Sequence, residues 1–136
     1  MKIILFILFS LSCFQIPVWN DNSYLPVKQT KDPVFKKGEK LYIRDCKACH
    51  YIGMDKVATA PALGGITKVR KKNWLYRYTR NSPYMHKIGD SIADKLSKDG
   101  WGLMPAFPKL TNKDIDAIYH FVESKYEMTK NGIPAE

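Results

Sequence analysis

Cysteine and histidine are scarce in this sequence, with three of each in the whole chain. Cys46 and Cys49 form its one close cysteine pair, and His86 and His120 stand far from that pair and from each other. A structural zinc site needs four protein ligands, usually as two such pairs, so the sequence argues against one. A thioredoxin-like dithiol would lie within a pattern of alternating strands and helices, and no segment shows the alternation of a strand.

Long apolar runs are also lacking, except at the start of the chain. Lys2 is followed by an apolar stretch that continues to about Val18 and is diluted by polar residues. A basic start and a short apolar run are typical of a secretory signal, whereas a membrane-spanning helix needs about 20 mostly apolar residues. We therefore expect residues 1–19 to be a signal peptide and the mature protein to be periplasmic. An uncleaved membrane anchor is the alternative.

Cys13 allows a second form of export. It follows Ser10-Leu11-Ser12, a weak but usable context for lipoprotein processing. In that interpretation the signal ends before Cys13, and a lipid on this residue attaches the protein to a membrane. The other interpretation is an ordinary leader cysteine that is removed with the signal.

Acidic residues are few, 13 against 22 basic ones, and the formal net charge is +9. Basic runs such as residues 68–72 suggest nucleic acid in other contexts, but an exported protein meets little of it, so we expect no nucleic-acid partner. A basic surface that attracts an acidic protein partner or a membrane surface fits better. The alternative is that most individual lysines are simply solvated surface residues without a binding role.

The rest of the chain divides into a tether at residues 20–32, one domain at residues 33–128 and a tail at residues 129–136. The tether is polar and contains proline, and the domain carries the helical patterns. A domain of about a hundred residues buries only part of its surface. A large covalent apolar cofactor would therefore add core that the side chains lack.

The first predicted helix begins at Pro33 with Asp32 as its N-cap, since Asp caps well and Pro suits the first helical position. Side chains recur at helical spacing up to His50. We therefore expect this helix to carry Cys46, Cys49 and His50 on one face.

Three further helices are predicted, separated by loops rich in Gly and Pro. The residue before Pro83 should end the first of them, and Thr111 with Asp114 resembles a capping box at the start of the last. Their predicted extents are about 73–80, about 84–98 and 112 onward, with loops at 51–72 and 100–110. The predicted fold class is all-α, with three to five helices and long loops around one covalent cofactor.

The segment Cys46-Lys47-Ala48-Cys49-His50 has the C-x-x-C-H spacing of c-type haem attachment. Residues i, i+3 and i+4 lie on one face of a helix, so two thiols can bond to the two vinyl groups on one edge of a porphyrin. The imidazole of His50 then lies under the iron, for which neutral imidazole is a good ligand. The sequence therefore predicts one covalent haem c with its iron bound by His50.

An electron-carrying haem also needs a sixth iron ligand, and a Met thioether is a soft one that favours ferrous iron. Met104 is the preferred candidate because it lies in an irregular loop just before the last helix. Met54 lies too close to the motif, and Met128 lies near an end that should fray. Met85 and its neighbour His86 remain alternatives.

Other contacts to the cofactor are less determined. The free ring nitrogen of His50 needs an acceptor, and the carbonyl of Pro61, in the loop after the motif, can serve. The alternative for Pro61 is a rigid turn without such a bond. Trp74, Arg80 and Trp101 can donate hydrogen bonds to haem propionates, but each is as easily core or surface.

Over about residues 34–126 the chain resembles the class I c-type cytochromes, which include many bacterial monohaem proteins. The resemblance implies the small cytochrome c fold, with His50 and Met104 as axial ligands and the Pro61 carbonyl orienting His50. Ala60 stands where this family often has Gly, and the helix of about 84–98 follows no family pattern. The matching segments are Gly38 and Tyr42 in the first helix, the C-x-x-C-H motif, Ala60-Pro61-Ala62-Leu63-Gly64, Met104-Pro105-Ala106-Phe107, and Ile118 and Phe121 in the last helix.

The resemblance implies an electron carrier between redox proteins such as a terminal oxidase or a periplasmic reductase. No acid–base set for catalysis stands out, so we expect that the protein is not an enzyme. We also expect it to be a monomer. The alternative is a haem-based sensor with an open sixth iron position. In the family, Met ligation gives a weak band at the red end of the ferric spectrum, so this band distinguishes the electron carrier from the sensor. The lysines expected around the haem edge are Lys47, Lys68, Lys71 and Lys109.

Overall fold

The computed structural model of the chain describes residues 31–134, so the predicted signal peptide, Cys13 and most of the predicted tether lie outside the described residues. This part contains five helices and no strand, which confirms the all-α prediction. The helices are α1 (Pro33–Asp45), α2 (Ile66–Val69), α3 (Lys72–Lys87), α4 (Ser91–Lys98) and α5 (Asn112–Lys130). Within the described residues, no helix combines the length and the apolar composition that crossing a bilayer requires.

The first and last helices pack against each other and form most of the core. A Cβ on Gly38 would lie 2.0 Å from the carbonyl oxygen of Ala117, so only glycine permits this approach. The ring of Phe121 lies against the rings of Phe35 and Tyr42, with centroids 5.1 Å and 5.3 Å apart. α1 and α5 are therefore the two frame helices of the domain, and the core lies mainly between them.

Both frame helices begin where the sequence predicts. Asp32 accepts a hydrogen bond from the N–H of Val34 at 2.9 Å, as an N-cap does. Thr111 and Asp114 form the predicted capping box. α5 continues to Lys130, and Met128 is buried in its last turns rather than frayed as predicted.

α1 ends earlier than predicted. Its last residue is Asp45, and residues 46–50 form a turn instead of a continued helix. The carbonyl of Tyr42 accepts from the N–H groups of both Cys46 and Lys47, at 2.8 Å and 2.9 Å, and this shared bond ends the regular helical pattern. The N–H of His50 still bonds the carbonyl of Cys46 at 3.0 Å, so the motif stays within one turn of chain.

The middle of the chain differs most from prediction. The loop expected at residues 51–72 contains the short helix α2, and α3 consists of two segments that meet at the non-helical residue Asn81 and continue to Lys87. The regular helix does end before Pro83, as predicted, and a second helical segment follows Asn81 because proline is tolerated in the first turn of a helix.

The helix expected over residues 84–98 is divided. Gly89 has a positive φ of 71°, which a helix cannot include. Asp90 then caps α4 by accepting from the N–H groups of Ile92 and Ala93. Ile88, four residues before Ile92 in the sequence, is 48% exposed.

Candidate haem-binding site

One cleft brings together the residues that the sequence singled out. Cys46, Cys49, His50 and Pro61 line it, and so does Met104. The rest of the lining is mostly apolar and comes from the 59–66 loop, α3, the end of α4, the 101–107 loop and α5. Among these other residues are Leu63, Ile66, Leu75, Leu96, Trp101, Phe107 and Ile118.

The Cys46 thiol does not have the character of a thiol in a reactive dithiol. Cys46 and Cys49 are not joined by a disulfide. Burial raises the pKa of the Cys46 thiol to about 12, whereas reactive dithiols and thiolate metal ligands depend on a lowered pKa. Two thiols on the wall of an apolar cleft, next to an imidazole, fit covalent attachment of a haem.

His50 is held as a neutral imidazole. Its Nδ1 lies 2.8 Å from the carbonyl oxygen of Pro61. A carbonyl can only accept, so Nδ1 carries the proton and Nε2 keeps a free lone pair. Burial lowers the pKa of His50, which keeps the ring neutral. The residue therefore offers the unprotonated nitrogen that a haem iron binds.

The loop that carries Pro61 is tied to the motif. The N–H of Ala60 and the hydroxyl of Thr59 both donate to the carbonyl of Cys49, at 3.0 Å and 3.2 Å. Gly64 lies against the ring of Tyr126, where a Cβ would come within 2.3 Å of a ring carbon. These contacts hold the carbonyl of Pro61 beside His50.

The described methionines differ in whether they line the cleft. Met104 is the one methionine of residues 31–134 that lines the cleft. Met54, Met85 and Met128 are 0%, 1% and 4% exposed, and they pack away from it. His86, the other alternative, is not part of the lining either.

The three residues that the sequence suggested as propionate donors have different surroundings in the structure. Trp74 and Trp101 line the cleft, but Nε1 of Trp74 already donates to Asp90 at 3.0 Å. Arg80 is not part of the lining, and its Nε donates to the carbonyl of Leu110 at 2.9 Å.

The sequence analysis did not identify three of the lining side chains, Arg70, Thr79 and Tyr119. Arg70 lies in the wall with its guanidinium 5.8 Å from the ring centroid of Trp74. No helical spacing identifies it, because Arg70 is extended and lies between the end of α2 and the start of α3. The hydroxyls of Thr79 and Tyr119 lie 2.9 Å apart and join α3 to α5 across the wall. Burial raises the pKa of Tyr119 to about 12, so it stays protonated.

Solved structures share this architecture. A cytochrome c from Rhodothermus marinus superposes with a TM-score of 0.61 at 23% identity, over 74% of this chain and 83% of that one. An engineered cytochrome c from Rhodothermus marinus, Rma TDE, has a TM-score of 0.57 at 24% identity, and the same engineered protein bound to a carbene intermediate has 0.56 at 26%. Each of these two matches covers 69% of this chain and 78% of the other.

No curated protein sequence matches the chain. The family model for "Cytochrome c" matches residues 35–125, which include the cleft motif and most of both frame helices. The chain therefore belongs to the cytochrome c family, as a class I c-type cytochrome whose cofactor is an iron-containing covalent haem c and whose work is electron transfer.

Proposed function

We propose that this cytochrome is an exported carrier of single electrons in which thioether bonds from Cys46 and Cys49 hold the haem. His50 and Met104 would be the two side chains that bind its iron. The protein passes electrons between redox partners and performs no catalysis of its own. The observation that carries the proposal is that, among residues 31–134, Met104 alone of the methionines shares the cleft with the attachment motif.

The side chains of the cleft account for the mechanism. Haem, when bound, supplies a one-electron iron couple. His50, held by Pro61, gives a neutral nitrogen of fixed orientation. Met104 gives a soft sulfur that favours the reduced state, and an apolar wall that excludes water disfavours extra charge. Both effects would raise the reduction potential of the bound haem.

Exposed lysines near the cleft support docking of an acidic partner. The four are Lys47, Lys68, Lys71 and Lys109. Lys47 lies inside the motif, Lys68 and Lys71 lie on either side of the wall residue Arg70, and Lys109 follows the Met104 loop. A terminal oxidase and a periplasmic reductase are the kinds of partner proposed, with the periplasm as location and a lipid on Cys13 as a variant of it.

Expression in a host that attaches haem tests the proposal. The intact mass should exceed that of the polypeptide by one haem, and the ferric spectrum should show the weak red band. Met104→Leu should remove that band and lower the reduction potential, because the iron loses its thioether. Met85→Leu is the matched control, since Met85 is buried outside the cleft, and it should keep the band.

Other outcomes would reassign the protein. A mass without haem would remove the attachment role of Cys46 and Cys49. A wild-type spectrum that is high-spin and lacks the red band would favour a ligand-binding sensor. The mass of protein purified from membranes reports whether Cys13 carries a lipid.

A further inference from the structure

Helix α3 is interrupted where it passes the loop that carries Met104. Asn81 has φ −158° and ψ 71°, and its side-chain oxygen accepts the N–H of Tyr84 at 3.1 Å. Asn81 therefore acts as the N-cap of a second helical segment, with Pro83 in its first turn.

The interruption frees one carbonyl of the helix. In an unbroken helix the carbonyl of Arg80 would accept from the N–H of Tyr84, four residues later. Tyr84 donates to Asn81 instead, and the Arg80 carbonyl accepts from the N–H of Phe107 at 3.0 Å. The break in α3 thus becomes a point of attachment for the loop.

Side chains next to the break bind the same loop. Ser82 has no exposed surface, and its hydroxyl donates to the carbonyl oxygen of Met104. The guanidinium of Arg80 donates to the carbonyl of Leu110 at 2.9 Å and to the side chain of Asn112.

The loop has little structure of its own. Within the described backbone of residues 102–110, the one further backbone hydrogen bond joins the N–H of Leu110 to the carbonyl of Phe107 at 3.1 Å. Segments with few internal hydrogen bonds open easily. The position of Met104 therefore depends on the hydrogen bonds that Arg80 and Ser82 form with the loop.

We propose that Ser82 is a positioning residue for Met104: its hydroxyl, with Arg80 beside it, holds the loop so that the thioether stays on the haem iron. The inference rests on the proposed function, in which Met104 is the sixth ligand. Ser82 itself touches neither the iron nor a substrate. It sets how easily an outside ligand takes the place of the thioether.

Titration of the ferric holoprotein with imidazole, followed by loss of the red band, tests this role. Ser82→Ala removes the hydrogen-bond donor without adding atoms, and the affinity for imidazole should rise about fivefold, the size of one net hydrogen bond. Ser124→Ala is the matched control, because Ser124 is 7% exposed on α5 and lies outside the cleft lining. It should leave the affinity unchanged. Hydrogen exchange at the Phe107 amide should be faster in Ser82→Ala only.

The outcomes distinguish this inference from the proposed function. A wild-type band with the same imidazole affinity in all three proteins would overturn the positioning role of Ser82 and leave Met104 as ligand. Equal rises in Ser82→Ala and Ser124→Ala would overturn it too, because general destabilisation would then be the cause. A wild-type ferric protein without the red band would overturn both proposals.

Discussion

Gly38 lies at the closest approach between α1 and α5. A Cβ at this position would lie 2.0 Å from the carbonyl oxygen and 2.6 Å from the carbonyl carbon of Ala117. Both are backbone atoms, which cannot rotate away as a flexible side chain can. The contact between the two frame helices thus depends on the absence of a single methyl group.

Gly38→Ala should destabilise the holoprotein by about 1–3 kcal/mol, the usual cost of overpacking a core. The loss occurs although alanine is the better helix former by about 1 kcal/mol. Denaturant unfolding measures it. Lys40→Ala, exposed on the same helix, should change stability by no more than about 0.5 kcal/mol. A Gly38→Ala protein as stable as the wild type would show that the two helices can separate without cost.

At the residue scale, local sequence was enough to select four residues that the structure brings into one cleft. Cys46, Cys49 and His50 have a fixed spacing, and Met104 stands in an irregular loop before a capped helix. The hydrogen bond between Thr79 and Tyr119 could not be found in this way, because it depends on how α3 crosses α5. A crossing between distant helices has no local pattern.

At the scale of elements, the start of α5 is held by local and distant contacts together. Asp114 completes the capping box with Thr111 and forms an ion pair with Lys37 of α1 at 2.7 Å. The bond from Lys37, followed by those from Thr111, holds the pKa of Asp114 well below its usual value. A carboxyl with a lowered folded pKa stabilises the fold above its unfolded pKa, and that stabilisation is lost as the pH falls through the folded pKa.

Asp114→Asn should therefore be less stable than the wild type at about pH 7, and the difference in stability should narrow below about pH 4, where the carboxyl of Asp114 takes up a proton in the unfolded chain before it does so in the folded one. Urea unfolding at several pH values measures the difference. Asp55→Asn is the control, since that exposed carboxylate bonds no other described residue, and it should show no such trend. If the difference in stability between the wild type and Asp114→Asn stayed constant down to about pH 2, the charge of Asp114 would not be what stabilises the start of α5.

The frame helices were predictable because caps and periodicity agree in them. The middle helices were not, because there the two signals conflict. Ile88, Ile92 and Leu96 look like one apolar row, yet Gly89 and the Asp90 cap divide it. A capping residue inside a periodic row outweighs the row, since a helix needs donors satisfied at its start before it can use its apolar face.

At the scale of the whole molecule, charge is the dominant feature, with a formal net charge of +9. Charges of one sign steer oppositely charged partners, and salt screens the attraction. An exposed basic residue next to the cleft should matter more than one far from it. Lys71 lies beside the wall residue Arg70, whereas Lys36 lies in the first turn of α1, about 14 Å along the helix from the cleft end.

Reduction of the ferric protein by an anionic one-electron reagent should therefore slow steeply as salt is added, and reduction by a cationic reagent should not. Lys71→Glu should slow the anionic reaction several-fold at low salt. Lys36→Glu changes the net charge by the same amount and should have a smaller effect. Stopped-flow absorbance measures these rates. Equal slowing by both variants would show that net charge alone, and not its placement, steers encounter.

α1 has its main packing partner at the opposite end of the domain, so it cannot bury its inner face until the last helix is present to pack against it. The thiols of Cys46 and Cys49 therefore emerge well before the walls that will enclose them. In that interval they are accessible to whatever joins haem to them, and equally to oxidants that would join them to each other. The order of the chain, with the motif near the start of the domain and its packing helix at the end, keeps the attachment point accessible until that last helix packs.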